Sequence, residues 1–226
     1  IESPPIEILK TDKSAILDWY KASKKKLNEV KIILIGDPKA GKTSLLRRLK
    51  DDEFNEAEVQ TDGVNIEDIK FGNCKTFKKQ RSLHNLTGHF WDFGGQEIMN
   101  ATHQFFLTNR SIYILLLDAR KDSDTSGQVR QWIKRIKATS GDSSIIVVAN
   151  QIDINPSFGF ANDYELQNEF PQIKYFIKIS CKTSENIPVI KNILEELIPN
   201  AELLETIVDE KWLLLKERLQ KLTKKH

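Results

Sequence analysis

Eight consecutive residues have the types and spacing required to hold the phosphate groups of a ligand. They lie between an apolar, β-branched segment at residues 30–35 and a helix-like pattern at residues 43–50, and they read Gly36-Asp37-Pro38-Lys39-Ala40-Gly41-Lys42-Thr43. This sequence fits G-x-x-x-x-G-K-[ST], whose backbone N–H groups form an anion cradle at the positive end of the following helix. We predict that Lys42 contacts the β- and γ-phosphates of a nucleotide, that the Thr43 hydroxyl binds Mg²⁺, and that the phosphate site extends to Ser44.

A second motif, at the end of a short aromatic segment, supplies groups that act on the terminal phosphate. Asp92, Gly95 and Gln96 occur in the run Asp-Phe-Gly-Gly-Gln-Glu at residues 92–97. A carboxylate there can hold Mg²⁺ through a water molecule, and the flexible glycine pair lets the Gly95 N–H approach a γ-phosphate. A glutamine directly after it can orient the attacking water. We therefore predict Mg²⁺ binding by Asp92 and a catalytic role for Gln96.

Two further motifs have the chemistry needed to recognise a guanine base. Asn150-Gln151-Ile152-Asp153 follows one apolar segment and Ser180-Cys181-Lys182 ends the next. The Asp153 carboxylate can accept hydrogen bonds from both N1–H and the exocyclic amine of guanine, an arrangement that adenine does not offer. A backbone N–H at residues 180–182 can meet the guanine oxygen. All four motifs follow strand-like segments, which is where ligands bind in parallel α/β sheets.

The pattern between the motifs predicts the scaffold that brings them together. Near-continuous apolar runs at residues 112–117 and 145–149 are typical of strands buried on both faces. Shorter strand-like segments alternate with segments of helical spacing, at residues 64–71, 89–93, 129–136, 175–179 and 187–197. Strands that alternate with helices predict an α/β fold with a largely parallel sheet. The segments at residues 14–28 and 201–222 also have helical spacing.

The composition excludes several classes of protein. The chain has 226 residues, with 34 Lys and Arg against 32 Asp and Glu, so it lacks the basic excess of a nucleic-acid-binding domain. No apolar run approaches the ~20 residues of a transmembrane segment, and the N-terminus does not resemble a signal peptide. Two cysteines cannot form a disulfide framework, and the histidines lack zinc-site spacing. We expect an intracellular, cytoplasmic protein.

With these motifs in order, the chain resembles the Ras-like small GTPases over residues 30–200. The resemblance implies a P-loop GTPase fold with a mostly parallel six-stranded sheet and helices on both faces. It also implies binding of GTP and GDP with Mg²⁺, and hydrolysis of GTP to GDP and phosphate, with Lys42, Thr61 and Gln96 as the catalytic residues. Thr61 lies eighteen residues after Thr43, where the family has the threonine that closes on Mg²⁺ and the γ-phosphate. Phe54 matches the aromatic residue that packs on the guanine edge.

Within that superfamily the chain is similar to the Roc domain of Roco proteins. The similarity rests on Phe-Trp-Asp-Phe-Gly-Gly-Gln-Glu at residues 90–97, His-Gln-Phe-Phe-Leu at residues 103–107 and Ser-Cys-Lys at residues 180–182. It implies the end of a leucine-rich-repeat region at residues 1–13, a connecting helix at 14–28, the Roc GTPase domain at 29–200 and the start of a COR domain at 201–226. It further implies a nucleotide-dependent switch that works with its own leucine-rich-repeat and COR domains and that dimerises through the neighbouring domain.

Three features depart from the pattern of small GTPases. Gln151 stands where the family has a lysine whose stem packs on guanine, so we expect lower affinity for the base. Pro38 replaces a glycine that leaves space for a partner's arginine, which predicts slow turnover by the isolated domain, and Lys39 adds a cation beside the phosphates. Residues 72–88 contain four basic and no acidic residues. We interpret them as a solvated loop between two strands, or as a contact site for acidic partners or lipid head groups.

Other functions remain open from the sequence alone. A nucleotide-gated scaffold or dimerisation module with little intrinsic turnover would use the same binding residues, although Thr61 and Gln96 together favour hydrolysis. A P-loop ATPase or kinase is disfavoured by Asp153. Cys181 is interpreted as a small residue near the base, with a redox role as the less favoured alternative.

Overall fold

The structure, a computed structural model, describes residues 10, 13–21, 24–58, 61–75, 82–94, 111–121, 125–200, 207–210, 214–216 and 218. The chain divides into two compact units. Asn28–Leu203 form the larger unit, and Ile1–Leu27 with Leu204–His226 form the smaller one. Every predicted site residue that the structure describes belongs to the larger unit.

The helices and strands occur in an order that alternates along most of the chain. They are α1 (Lys13–Lys21), β1 (Lys24–Lys26), β2 (Glu29–Gly36), α2 (Lys42–Asp51), β3 (Val64–Lys75), β4 (Ser82–Phe93), β5 (Ser111–Asp118), α3 (Thr125–Ser140), β6 (Ile145–Asn150), α4 (Asp163–Glu169), β7 (Ile173–Lys178), α5 (Ile187–Leu197) and β8 (Ile207–Asp209). A 3₁₀ turn at Ile198–Asn200 follows α5.

Six strands of the larger unit form one sheet in the order β3-β4-β2-β5-β6-β7. β3 pairs antiparallel with β4, and the other neighbours are parallel. Gly36 pairs with Leu116, and Asp118 pairs with Asn150, so β2, β5 and β6 end at the same edge of the sheet. The predicted α/β fold with a mostly parallel six-stranded sheet is confirmed.

Helices cover both faces of the sheet, and its central strands are mostly buried and mostly apolar. Ile33 and Tyr113 belong to a buried cluster with Val129 and Trp132 of α3. Alternate residues such as Ile32 point to the opposite face and are also fully buried, and α2 packs against β2 and β4. Every residue of β5 and β6 is buried. This burial fixes the strand ends from which the site residues extend.

The β3–β4 hairpin is longer than the sequence indicates. Pairing continues without a shift from Val64 opposite Phe93 to Lys75 opposite Ser82. The expectation of a loop over residues 72–88 is therefore wrong, because most of these residues belong to the two strands. An outer hairpin can be held by backbone pairing with little apolar alternation, so this part of the sequence carries no clear strand pattern.

The smaller unit also differs from the helical expectation. α1 ends at Lys21, and β1 pairs antiparallel with β8 at Lys24 opposite Asp209. The prediction of a helix through residues 14–28 and of a helical stripe through residues 201–222 is therefore wrong for these two strands. β-branched Ile207 and Val208 favour an extended backbone, and a strand partner distant in sequence overrides the apolar spacing. The assignment of these segments to neighbouring domains stays a prediction.

Among the described residues, no helix combines the length and the apolar character needed to cross a membrane.

His89 on β4 links three strands of the sheet, toward the end where β2 begins and away from the phosphate loop. His89 Nδ1 lies 2.6 Å from Asp68 Oδ1 on β3, and His89 Nε2 lies 3.1 Å from Glu29 Oε2 on β2. The Nδ1 contact with Asp68 is a hydrogen bond, whereas the Nε2 contact with Glu29 has ion-pair distance without hydrogen-bond geometry. Two carboxylates this close to the ring favour the protonated, charged imidazole. The interaction with Glu29, together with Asp68 and against the opposing effect of burial, raises the pKa of His89 above its usual value.

We predict that His89 gives the fold a stability that depends on pH. The folded-state pKa is raised, so the stabilisation is complete below the unfolded-state value of about 6.5 and is lost as pH rises through the higher folded-state value. Relative to His89→Gln, the wild type should be more stable by no more than about 1 kcal/mol near pH 6, because the ion pairs are partly exposed. Urea unfolding between pH 5.5 and pH 9 measures this difference. A difference that grows with pH would contradict the ion-pair assignment.

Candidate functional site

Two glycines of the phosphate loop are required by contacts with neighbouring strands. Gly36 has a φ of +132°, and a β-carbon there would lie 2.0 Å from the carbonyl oxygen of Leu116 on β5. Gly41 has a φ of +91°, and its β-carbon would lie 2.2 Å from Asn150 Nδ2 at the end of β6. The two glycines therefore let the loop close against the ends of both strands.

Lys42 is held inside the phosphate loop by the loop's own carbonyl groups. Its Nζ donates to Gly36 O at 3.1 Å and to Asp37 O at 3.0 Å, and the residue is 7% exposed. Burial lowers the pKa of Lys42, while Asp92 and Asp37 oppose that shift. The Asp37 carboxylate is itself anchored by Lys121 at 3.2 Å. The loop thus presents one buried ammonium group where phosphate charge would be placed.

The three predicted Mg²⁺ ligands lie together beside Lys42. Thr43 Oγ1 donates to Asp92 Oδ2 at 2.6 Å and lies 2.9 Å from Thr61 Oγ1, and Thr61 Oγ1 donates to Asp92 Oδ2 at 3.3 Å. Burial raises the pKa of Asp92, although the hydrogen bond from Thr43 opposes the shift. Asp92 Oδ1 is buried and has no hydrogen-bond partner within the described part of the chain. The candidate Mg²⁺ site therefore consists of one carboxylate and two hydroxyl groups. Among the described residues, no group of three or more His, Cys, Asp or Glu side chains is arranged to hold a metal ion.

Asn150 connects the phosphate loop to the segment after β7. Its Nδ2 donates to Ala40 O at 3.0 Å, and its Oδ1 accepts from the Cys181 N–H at 3.0 Å. The next residue, Gln151, has a φ of +72° and donates from Nε2 to Lys39 O at 2.9 Å. Both side chains therefore tie the end of β6 to the loop that follows β2.

Asp153 is oriented by a buried serine. Ser180 is fully buried, and its hydroxyl donates to Asp153 Oδ1 at 2.6 Å while it accepts from the Thr183 N–H at 3.1 Å. The carboxylate keeps accepting capacity for a ligand, since one bond occupies one oxygen. Cys181 beside it is 2% exposed, and burial raises the pKa of its thiol to about 12. A buried, protonated thiol argues against the redox alternative.

These residues surround one cavity of about 340 Å³, within the range of small-molecule sites. Some predicted residues do not line the cavity but form hydrogen bonds with residues that do: Ala40 with Asn150, Asp92 with Thr43, and Ser180 with Asp153. The carbonyl groups of Gly36 and Asp37 accept hydrogen bonds from Lys42 in the same way. Gly95 and Gln96 fall outside the described residues. The predicted residues that line the cavity are Pro38, Lys39, Gly41, Lys42, Thr43, Ser44, Phe54, Thr61, Asn150, Gln151, Asp153, Cys181 and Lys182.

Sequence reasoning missed several lining residues. Asn55, Glu56, Glu58, Arg120 and Ile154 also border the cavity. The Arg120 guanidinium donates to both oxygens of Asp118, at 2.9 and 2.8 Å. Burial raises the pKa of Asp118, but the hydrogen bonds from Arg120 outweigh it and the net shift is downward. The position of Arg120 just after β5 was the available signal, because site residues gather at the carboxyl ends of parallel strands.

The fold and the site define a P-loop protein of the Ras-like class. A family model described as "Ras of Complex, Roc, domain of DAPkinase" matches residues 31–153, which is more than half of the chain. The chain therefore belongs to the Roc family, and the resemblance to Roc domains of Roco proteins is confirmed.

Known proteins of several architectures are similar to this chain. "Probable serine/threonine-protein kinase pats1" of Dictyostelium discoideum is 26% identical over 248 residues, which covers 100% of this chain and 8% of the relative. "Roc-COR-CHAT protease" of Runella zeae is 27% identical, covering 87% of this chain and 22% of the relative. The solved structure of Methanosarcina barkeri Roco2 RocCORdC bound to GDP is 42% identical, with a TM-score of 0.75, covering 90% of this chain and 60% of that one. The chain thus spans less than a quarter of these two curated relatives.

Proposed function

We propose that this chain binds GDP and GTP with Mg²⁺, hydrolyses GTP to GDP and phosphate, and acts as a nucleotide-dependent switch within a larger multidomain protein. The observation that carries the proposal is that Lys42 and Asp153, from motifs 111 residues apart, line the same cavity. One end of that cavity is built for phosphate and the other for a base. Support also comes from the similar Roco2 structure, which contains GDP.

Guanine is the base that the second end favours. Asp153 Oδ1 accepts a hydrogen bond from the Ser180 hydroxyl, and this bond fixes the orientation of the carboxylate. It is then suited to accept from N1–H and the 2-amino group of guanine, whereas adenine has no N1–H to donate. Gln151, which stands in place of the lysine of small GTPases, donates from its side-chain amide to Lys39 O and so ties the segment after β6 to the phosphate loop.

The residues beside the phosphate loop fit Mg²⁺. Asp92 Oδ1 is buried without a partner in the described part of the chain, and the hydroxyls of Thr43 and Thr61 lie next to the same carboxylate. Oxygen ligands of this kind suit Mg²⁺, which keeps several waters in its shell. When bound, the ion would neutralise charge on the β- and γ-phosphate oxygens. Thr43, Thr61 and Asp92 would hold it.

Hydrolysis requires a water molecule that is oriented toward the γ-phosphate, and Gln96 is our candidate for that role. Pro38 lines the cavity, and its ring restricts the space through which an arginine from another protein would enter. Such an arginine normally accelerates hydrolysis by ~10³–10⁵. We therefore propose slow turnover by the isolated domain, with acceleration through ordering of the segments around Thr61 and Gln96.

The larger protein supplies the partners of this switch. One relative is named a Roc-COR-CHAT protease and the similar solved structure is a RocCOR protein, which supports a COR domain as the neighbour of this one. Another relative is named a probable serine/threonine-protein kinase. Contact with a leucine-rich-repeat region and dimerisation through the neighbouring domain remain part of the proposal. We expect no direct role for nucleic acid, and we expect the protein to act in the cytoplasm.

We predict that Gln96→Leu lowers the single-turnover rate of GTP hydrolysis by at least about tenfold, which corresponds to about 1.4 kcal/mol of transition-state stabilisation. GDP affinity should stay near the wild-type value, because an amide that orients water acts in the transition state. Gln131→Leu on the exposed side of α3 serves as the matched control. Equal hydrolysis rates for Gln96→Leu and wild type, with binding intact, would favour the scaffold function instead.

A further inference from the structure

We propose that Arg48 is a positioning residue for recognition of the 6-oxo group of guanine. Its guanidinium fixes the base loop, residues 180–182, from behind, and it ties that loop to the residues that follow α2. This inference rests on the proposed binding of guanine nucleotides. It assigns the specificity of that site in part to a side chain that does not line the cavity.

Arg48 bonds to both carbonyl groups at the end of the base loop. Its Nε donates to Cys181 O at 2.6 Å, and its Nη2 donates to Lys182 O at 3.1 Å. The Arg48 side chain is 13% exposed, and hydrogen bonds from a charged donor are the stronger class in proteins. The planar guanidinium can meet two carbonyls at once, which the single ammonium of lysine matches poorly.

The hydrogen-bond pattern of the base loop leaves one backbone donor available. The Ser180 N–H donates to Glu185 O, the Cys181 N–H donates to Asn150 Oδ1, and the Thr183 N–H donates to Ser180 Oγ. In the part of the chain that the structure describes, the Lys182 N–H has no such acceptor. We therefore assign this N–H as the donor to the 6-oxo group.

Arg48 sets the direction of that free donor through peptide geometry. In a trans peptide the carbonyl of one residue and the N–H of the next point in opposite directions. The Cys181 carbonyl points at Arg48 on α2, so the Lys182 N–H points away from α2. Cys181 and Lys182 both line the cavity, so we take the base to lie on the side to which this N–H points.

The same guanidinium also contacts the segment that follows α2. Its Nη1 donates at 2.7 Å to the carbonyl oxygen of Asp52, the residue directly after α2, which has a φ of +55°. Its Cζ lies 5.6 Å from the ring centroid of Phe54, which lines the cavity. The exposed pair of Lys182 and Glu56, 2.8 Å apart, adds a second and weaker link between these segments.

The test compares three nucleotides on the 226-residue chain and its variants. GDP has the 6-oxo group, 6-thio-GDP replaces that oxygen with a poorer acceptor, and IDP keeps the oxygen but lacks the 2-amino group. Calorimetric titration of Arg48→Ala should show GDP affinity at least about tenfold below wild type, and IDP affinity lowered by the same factor. The affinity for 6-thio-GDP should fall clearly less, so the wild-type preference for GDP over 6-thio-GDP shrinks.

Matched variants separate positioning from folding. Arg48→Lys should lie between wild type and Arg48→Ala, and it decides the matter if the alanine variant does not fold. Arg130→Ala removes an arginine that pairs with Glu169 on the surface, and it should change none of the ratios. Equal losses for all three nucleotides, or no loss, would overturn the positioning role while leaving guanine binding intact. Failure of the wild type to bind GDP would instead overturn the proposed function itself.

Discussion

Lys42→Ala should weaken the binding of GDP and GTP by at least about a hundredfold. Lys42 is buried in the phosphate loop, with its ammonium 3.1 Å from Gly36 O and 3.0 Å from Asp37 O. Contacts of that ammonium with two phosphates would each contribute roughly 1.5–3 kcal/mol, so the total loss is about 3–6 kcal/mol. Fluorescence titration with a labelled guanine nucleotide measures the change.

A lysine on the same helix gives the control for this prediction. Lys50 is exposed at the other end of α2 and pairs with Glu67 at 2.9 Å. Lys50→Ala should bind GDP as the wild type does. Thermal unfolding without nucleotide should show that Lys42→Ala is folded. Burial of the charged Lys42 ammonium costs desolvation free energy, and the substitution removes that cost. Wild-type affinity in a folded Lys42→Ala variant would mean that the loop is not the phosphate site.

Asp153→Asn should reverse the base preference of the cavity from guanine to xanthine. The asparagine amide can donate to the 2-oxo group of xanthine where the carboxylate accepts from the 2-amino group of guanine. We expect at least about a hundredfold loss for GDP, because the exchange leaves buried donors facing one another. Xanthosine diphosphate should bind the variant more tightly than GDP does.

The asparagine variant can keep the contact with Ser180, and a second aspartate gives the control. The Ser180 hydroxyl donates to Asp153 Oδ1 at 2.6 Å, and an asparagine oxygen can accept the same bond. Asp142→Asn changes an exposed aspartate after α3 and should leave both affinities unchanged. If Asp153→Asn lowers GDP affinity without any gain for xanthosine diphosphate, Asp153 supports the fold of the site and does not read the base.

Much of the scaffold follows from the sequence because local pattern and tertiary structure agree there. The apolar runs of β5 and β6 lie between helices on both faces, and burial on both faces leaves no polar positions. α5 spans Ile187–Leu197, the segment that helical spacing predicts. The phosphate loop and the base motifs meet because parallel strands end at one edge of the sheet.

The features that the sequence did not predict depend on partners distant along the chain. β1 and β8 are short strands that exist through each other's hydrogen bonds, so apolar spacing within either segment gives no sign of them. Arg47 and Arg48 are adjacent and chemically alike, yet Arg47 pairs with Glu58 whereas Arg48 bonds to the base loop. Which of two arginines faces the site depends on the helix rotation, and that is fixed by packing of α2.

Guanine-nucleotide binding in this cavity is tested most directly by calorimetric titration of the nucleotide-free wild-type chain with GDP and with ADP, each with Mg²⁺ and with a chelator. We predict one GDP site per chain, tighter binding with Mg²⁺, and ADP binding at least about a hundredfold weaker, because Asp153 accepts from groups that adenine lacks. Equal affinities for GDP and ADP would contradict the assignment of the guanine site. No binding of either nucleotide would contradict the assignment of the cavity itself.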